Sequence, residues 1–556
     1  MHSHFCLFVL PHQSNNVLNK MLCLNIFRQC KKISPYLSSL QLQLINHVAR
    51  KSSTYKRSQL SVPHTDHLLS VKKDLFEQRT ELSDSEWQEL RNNLISKYKH
   101  ISYSNVDAII LGLCGGTDQL SLAKSYVHYL RECGLEPNLA SFGRLLRIYN
   151  STYHKRGVND ASLTPEEKQD ILDIYAKLRE RYEILDASTC ENLIYGLVCT
   201  KEWQMGVDLL NMSKLTSTPS IGAYTELTVK AFAKSELNIG WNLLEETVAQ
   251  GKEPKCEAYS AYLQYVAQEP LTLQCNLEKL FAFWEKYELI ITANVAKCIT
   301  EILNNNLHNA ELSQIDAQGK CNQCKVHMRT VTITDAEYAK LSNSFLNKVL
   351  IRNDVFQKST PEEVEHFKRY VTKTAPYDCV IDGLNVAYSM GTKKPAKFLA
   401  SLLANVVKHF KNQGKHVLVL GRKHMNNWPK DSMFYIRKNA SLFLTSNLSQ
   451  DDPFLLYATL KSGQSTDFFS RDMMRSHAFL LGNELRNIFR HWQQVHQYSL
   501  ITQTDNGRII VKEPTRYLLC THKVQDTWHV PYKQSYSPNP AELFEVPESW
   551  LCIKFK

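Results

Sequence analysis

Four aspartates carry the chemistry this chain could run: Asp382 at the end of an apolar run, the adjacent pair Asp451 and Asp452, and Asp472 after Phe468-Phe469-Ser470-Arg471. Like charges held within a few ångströms repel and raise one another's pKa unless a cation neutralises them, so four converging carboxylates specify a divalent metal site. Hard oxygen ligands select magnesium or manganese. Such an ion keeps several waters, polarises a phosphodiester oxygen and activates water for in-line attack, and two ions stabilise the attacking and leaving oxygens together. None of the four is a covalent nucleophile, so direct water attack leaving a 3′-hydroxyl and a 5′-phosphate is expected. Local structural roles compete with this reading. Asp452 before Pro453 is a ready helix N-cap, which leaves Asp451 unaccounted for; Asp382 could make an Asx turn and Asp472 could cap the segment holding Met473 and Met474.

A second candidate is Cys321-Asn322-Gln323-Cys324, whose spacing is half of a tetrahedral zinc site. Spacing leaves the other half open among His327, the pair Cys520 and His522, and His529 with Cys552; buried free cysteine is the plain alternative.

The elements that must position the aspartates read as an α/β parallel sheet. A buried strand begins at Tyr377 and ends in the polar turn Asp382-Gly383-Leu384-Asn385; further strands are expected at His416 to Leu420, Ala440 to Thr445 and Asp467 to Ser470, with helical patterns such as Lys397 to Lys411 between them. Ligands of such sheets gather beyond the carboxyl ends of the strands, where all three acidic groups fall.

The amino-terminal half repeats. Asp107, Phe142, Cys190, Tyr224 and Tyr259 mark helix starts at spacings of 35, 48, 34 and 35 residues, the long one containing an insertion expected as loop and helix start around Asn150 to Glu167. Each unit carries two helical patterns, and Gly134-Leu135-Glu136-Pro137 and Gly251-Lys252-Glu253-Pro254 close two of them, glycine ending a helix and proline preventing its continuation. Paired helices in tandem make an α-helical solenoid that resembles the pentatricopeptide repeat, whose family binds single-stranded or looped RNA; a tetratricopeptide-like, protein-binding solenoid has nearly the same period.

With 556 residues, several domains are expected. No apolar run is long enough to span a bilayer, and an odd, scattered set of 15 cysteines argues against a disulfide framework. Met1 to Thr65 contains no Asp or Glu but eight Lys and Arg, the pattern of a mitochondrial transit peptide, with a disordered basic tail as the alternative. Removing those eight charges from the chain's +11 leaves only +3, so intrinsic RNA affinity is expected to be modest and a basic partner could supply the shortfall.

Val380 to Ala387, Asp451-Asp452-Pro453-Phe454-Leu455-Leu456-Tyr457-Ala458-Thr459 and Arg471-Asp472-Met473-Met474-Arg475 resemble the three nuclease motifs of the protein-only ribonuclease P family. The resemblance covers most of residues 100–556 and implies a multidomain chain: transit and disordered segment 1–65, pentatricopeptide-repeat RNA-binding domain 84–300, a split zinc-bound connecting domain 301–360 plus 525–556, and a NYN/PIN-like metallonuclease 361–524. It further implies magnesium (or manganese, with two ions expected) on Asp382, Asp451, Asp452 and Asp472, and structural zinc on Cys321, Cys324, His529 and Cys552. The activity implied is removal of 5′ leaders from precursor tRNA in the mitochondrial matrix, in complex with a tRNA methyltransferase and a short-chain dehydrogenase. An inactive RNA-binding adaptor and an endonuclease of other transcripts are the rival readings. One departure is Ser476, before His477, where related sequences often carry a further aspartate.

Overall fold

The computed structural model describes residues 81–115, 120–157, 161–345, 360–446, 452–475, 481–534 and 546–556; the expected transit segment 1–65, Asp451, Ser476 and His477 lie outside them. The chain divides into two compact units, Met1–Pro137 and Asn138–Lys556.

The described part of the first unit is helical: α1 (Asp84–Lys97), α2 (Val106–Cys114) and α3 (Leu120–Glu132). Ser83 and Glu86 form a capping box that starts α1, which buries Trp87, Leu90 and Leu94. The marker Asp107 is buried and accepts hydrogen bonds from Tyr126 Oη (2.6 Å) and Arg91 Nε (2.9 Å), so its charge is compensated inside the unit.

The second unit opens with α4 (Leu139–Lys155), α5 (Pro165–Arg181), α6 (Ala187–Leu197), α7 (Met205–Ser213), α8 (Ile221–Ala233), α9 (Leu237–Ala249), α10 (Cys256–Gln268), α11 (Leu273–Tyr287) and α12 (Ala293–Asn305). The first helices of successive pairs, α4, α6, α8, α10 and α12, pack one on the next, and each second helix packs on its own first: a pentatricopeptide-like solenoid. Phe142, Cys190, Tyr224 and Tyr259 are each the fourth residue of their helix and all are buried, which is why they carry the period. Asn138, Asp186 and Ser220 accept backbone N–H groups of the first turn and set the starts of α4, α6 and α8. The long spacing differs from the loop expected. Helix α4 runs on to Lys155, because its last turns have partners: Asn150 Nδ2 donates to Glu226 Oε2 (3.1 Å), His154 Nε2 lies 2.9 Å from the same carboxylate, and Lys230 Nζ donates to Tyr153 Oη (3.1 Å).

Strands β1 (Ile291–Thr292) and β2 (Asn309–Ser313) follow the solenoid. They belong to a five-stranded sheet completed only at the far end of the chain. Helices α13 (Asp335–Ser344) and α14 (Pro361–Thr374) lead into a second sheet: β3 (Cys379–Asp382), α15 (Gly383–Tyr388), α16 (Ala396–Asn412), β4 (Val417–Arg422), α17 (Lys430–Asn439), β5 (Ser441–Thr445), α18 (Asp452–Ser462), β6 (Asp467–Phe469), α19 (Asn483–His496), β7 (Gln497–Gln503) and β8 (Ile509–Lys512). The chain then returns through β9 (His522–Val524), β10 (Thr527–Lys533) and β11 (Ser549–Lys554) to the first sheet, ordered β1-β10-β11-β2 with β9 also on β10.

The second sheet is ordered β5-β4-β3-β6-β7-β8, parallel throughout except for the antiparallel hairpin β7–β8, which the expected strands did not include. Its strands are apolar on both faces. Val380, Leu418, Phe443 and Phe468 meet a layer containing Phe367, Leu455, Phe489 and Trp492, while Cys379, Ile381, Val419 and Phe469 meet Leu403, Val406 and Phe410 of α16. Alternate side chains therefore fill two cores, as a sheet covered by helices on both sides requires.

The first sheet shares its core with the solenoid's end: Phe281, Trp284, Val295 and Ile299 pack with Trp528, Val530, Leu551 and Ile553. Phe281 sits between Trp284 and Trp528, with ring centroids at 5.8 and 5.4 Å. Phe281→Ala is expected to lower stability by about 3–5 kcal/mol, and urea titration followed by tryptophan fluorescence and circular dichroism should show the last solenoid repeats and the sheet losing structure together.

Candidate active site and metal centre

Residues 314–331 form an irregular knuckle between β2 and the second sheet, held by bridges of Ile315 with Cys321 and Lys320 with His327. Gly319, at φ +81°, turns the chain where a Cβ would lie 2.9 Å from the Tyr517 ring. The turn brings Cys321 and Cys324 against the β10–β11 pair, in which His529 and Cys552 are direct cross-strand partners. The ligand atoms of Cys321, Cys324, His529 and Cys552 all lie within 4.8 Å of one another, with Cys324 Sγ 3.2 Å from His529 Nε2. A tetrahedral zinc ion about 2.3 Å from each sulfur spaces its ligand atoms by about 3.8 Å, so this group can hold one.

The electrostatics point the same way. The Cys321 thiol is pulled well down, chiefly by its hydrogen bond with Cys552, while Cys552 is pushed up by that same contact and Cys324 by burial. Three thiols this close ionise together only around a cation. The remaining candidates lie apart from the group. His327 is exposed. His522 is buried and satisfied, its Nδ1 2.8 Å from the Cys520 carbonyl and its Nε2 accepting from Arg329 N, and burial lowers its pKa to about 4. Burial pushes the Cys520 thiol up to about 12.

Asp382 ends β3, the strand with parallel neighbours on both sides, and is buried there. Its Oδ1 accepts from Asn385 N at 3.0 Å, so it also caps α15. Gly383 is required next to it, since a Cβ would lie 2.6 Å from the Leu420 carbonyl oxygen of β4. Asp472 stands three residues beyond the end of β6 and is exposed; its Oδ1 accepts from Met474 N at 2.7 Å, an Asx turn around the left-handed Met474 (φ 51°). Asp452 opens α18, half-buried, and that helix packs on β3. The three described aspartates thus flank the carboxyl end of the parallel sheet.

Two side chains not singled out from the sequence tie this edge together. Asn385, besides donating to Asp382, accepts from Arg471 N at 2.8 Å through its Oδ1, linking the first and third motifs. Gln497 Nε2 donates to the carbonyls of Ser470 (2.7 Å) and Asp472 (2.8 Å), and Ser470 Oγ accepts from Asp472 N (3.1 Å). Asn385 could have been noticed inside its motif, whereas Gln497 lies 25 residues beyond Asp472 on a strand with no sequence signal. Arg471 is itself anchored, its guanidinium donating to the Ser389 carbonyl at 2.8 Å.

Comparison with known proteins agrees with this arrangement. The chain is 27% identical over 522 residues to the mitochondrial ribonuclease P catalytic subunit of Rattus norvegicus, covering 92% of this chain and 85% of that protein. It is 25% identical over 257 residues to the chloroplastic/mitochondrial proteinaceous RNase P 1 of Arabidopsis thaliana, covering 44% and 41% of the two chains. The crystal structure of nuclear proteinaceous RNase P 2 from A. thaliana superposes with a TM-score of 0.57 at 17% identity, over 81% of this chain and 99% of that one, and so shares the fold. The family model for protein-only RNase P matches residues 315–552, a stretch that contains both the Cys/His group and the aspartate edge. Residues 315–552 of this chain are therefore a protein-only RNase P domain.

Proposed function

We propose that this chain is an endoribonuclease that removes the 5′ leader of mitochondrial precursor tRNAs by metal-dependent phosphodiester hydrolysis, as the catalytic subunit of a mitochondrial ribonuclease P. The observation that carries the reading is the joining of Asp382 and Asp472 through Asn385 at the carboxyl edge of a parallel sheet, within a protein-only RNase P domain. Asp382, Asp451, Asp452 and Asp472 are the proposed ligands of magnesium or manganese, with two ions bound. The ions supply Lewis-acid polarisation of the phosphate and an activated water at neutral pH. The chain's own contribution is to hold the carboxylates still: Asp382 by the α15 cap, Asp472 by its Asx turn and by Gln497. Cys321, Cys324, His529 and Cys552 are the proposed zinc ligands, in a closed structural site.

The proposed organisation is an RNA-gripping solenoid over 84–300, a zinc-bound connecting unit of 301–360 with 525–556, and a nuclease over 361–524. Among the described residues no helix is long and apolar enough to cross a membrane. The acid-free first 65 residues support import into the mitochondrial matrix, and the small net charge beyond them supports work within a complex that includes a tRNA methyltransferase and a short-chain dehydrogenase.

The test is cleavage of a mitochondrial precursor tRNA in magnesium, with and without those two subunits. Correct leader removal is expected. Asp382→Asn and Asp472→Asn should each lower the single-turnover rate by at least ~100-fold while leaving precursor affinity within a few-fold. No cleavage under any condition, or variants that cut as well as the parent, would sink the reading. Elemental analysis should find about one zinc per chain. Cys324→Ser, or a strong chelator, should remove it and lower the melting temperature by several degrees, and an unchanged melt would refute the structural role.

A further inference from the structure

Beside the aspartate edge lies a cavity of about 420 Å³, within the size range of roughly 300–1,000 Å³ typical of ligand pockets. Ser470, Arg471 and Met473, the residues on either side of Asp472, form part of its wall, and Gln493 and Gln497 another part. Three permanent cations face it, Arg471, Arg490 and Lys512, against two carboxylates, Glu288 and Glu513; His491 pairs with Glu288 at 2.8 Å.

One group in this wall lacks a partner. Gln497 spends its amide nitrogen on the carbonyls of Ser470 and Asp472, so its oxygen must receive a donor, and Gln493 Nε2 supplies it at 2.8 Å. The amide of Gln493 is thereby turned, and its Oε1 is left buried with no hydrogen-bond partner among the described residues; the side chain is 1% exposed. A buried acceptor without a donor costs free energy, and a native structure retains one where something else supplies the donor. Burial also lowers the pKa of Arg490, which Glu288 offsets only partly, so an arriving anion would be welcome there.

We infer that this cavity takes one unpaired nucleotide of the leader, next to the scissile phosphate, its phosphate facing Arg471, Arg490 and Lys512 and its base donating to Gln493 Oε1. The inference rests on the function proposed above. The duplex of the tRNA body is too wide to enter, whereas a single-stranded leader can splay a base into a pocket. Every base carries an N–H donor, so the contact is tolerant of sequence. Because Gln497 holds the Asp472 carbonyl and orients Gln493, filling the cavity also steadies the Asp472 turn.

The experiment uses the full chain with a precursor tRNA carrying 4-thiouridine at the leader nucleotide next to the junction or, as a control, three nucleotides further upstream. Calcium replaces magnesium to slow cleavage, and crosslinked peptides are mapped by mass spectrometry. The expected result is a crosslink from the junction-proximal position to residues 490–497 or 512–515. The exposed, core-neutral Lys512→Ala and the acceptor-deleting Gln493→Leu should each weaken that crosslink at least ~5-fold and reduce the preference for leader-bearing over leaderless tRNA, with leaderless tRNA bound as before. Crosslinks that fall elsewhere from a precursor that magnesium cleaves correctly, or a leader preference unchanged in both variants, overturn the inference and leave the proposed function standing. A parent chain that neither binds nor cleaves the precursor removes both.

Discussion

The chain's last strand must lie between two strands from opposite sides of the nuclease, and the rest of the second unit depends on that pairing. Strand β11 pairs with β10 on one edge and with β2 on the other, so Cys552 stands between His529 and Glu311. Closing so long a loop costs chain entropy, which the shared core with α11 and α12 and the Cys/His group offset. The same closure pins both ends of the inserted nuclease: Thr330 bridges Tyr517, Val331 N donates to Arg516 O at 2.8 Å and Leu518 N to Arg329 O at 2.8 Å. Arg329 reaches further, to Glu285 at the end of α11 (2.5 Å), while Lys523 donates to Glu278 of the same helix (2.8 Å).

A parallel sheet covered on both faces concentrates its freedom at the carboxyl ends of its strands, and the second sheet uses that edge for charge. Asp382 can be buried because its carboxylate meets backbone N–H groups at the start of α15, and Asp472 can be exposed because its turn is held from behind by Gln497. The opposite end of the sheet contains a different kind of buried charge. There Asp467 pairs with Lys415 at 2.7 Å and with His496 at 3.2 Å, a compensated cluster that keeps β6 in register and has no unsatisfied carboxylate to offer a metal.

The solenoid's polar groups are largely spent on stacking. Glu226 serves Asn150 and His154, and Arg147 lies 4.5 Å over the Tyr195 ring while donating to Asn192 at 2.7 Å. Gly143 and Gly222 leave the room that Asn192 and Tyr195 occupy. These contacts rigidify consecutive repeats, which favours recognition of RNA shape over electrostatic capture and is consistent with the small net charge beyond residue 65.

By itself the sequence determined the repeat period, the strands around the aspartates and the cysteine pair, because each rests on local signals: buried residues at the fourth position of successive helices, short apolar runs ending in Asp-Gly-Leu-Asn, and a two-residue cysteine spacing. It left the zinc ligands open among several histidines and cysteines. Only tertiary structure could choose, since His529 and Cys552 become neighbours through strand pairing, and His522, two residues from Cys520, turns its nitrogens to backbone groups instead. The helical course of Asn150 to Lys155 likewise followed from partners on α8, more than seventy residues away. Gln497 and Gln493, which hold the Asp472 turn and leave one buried oxygen without a donor, carry no local pattern at all; their role is fixed by which carbonyls the fold places within reach of an amide.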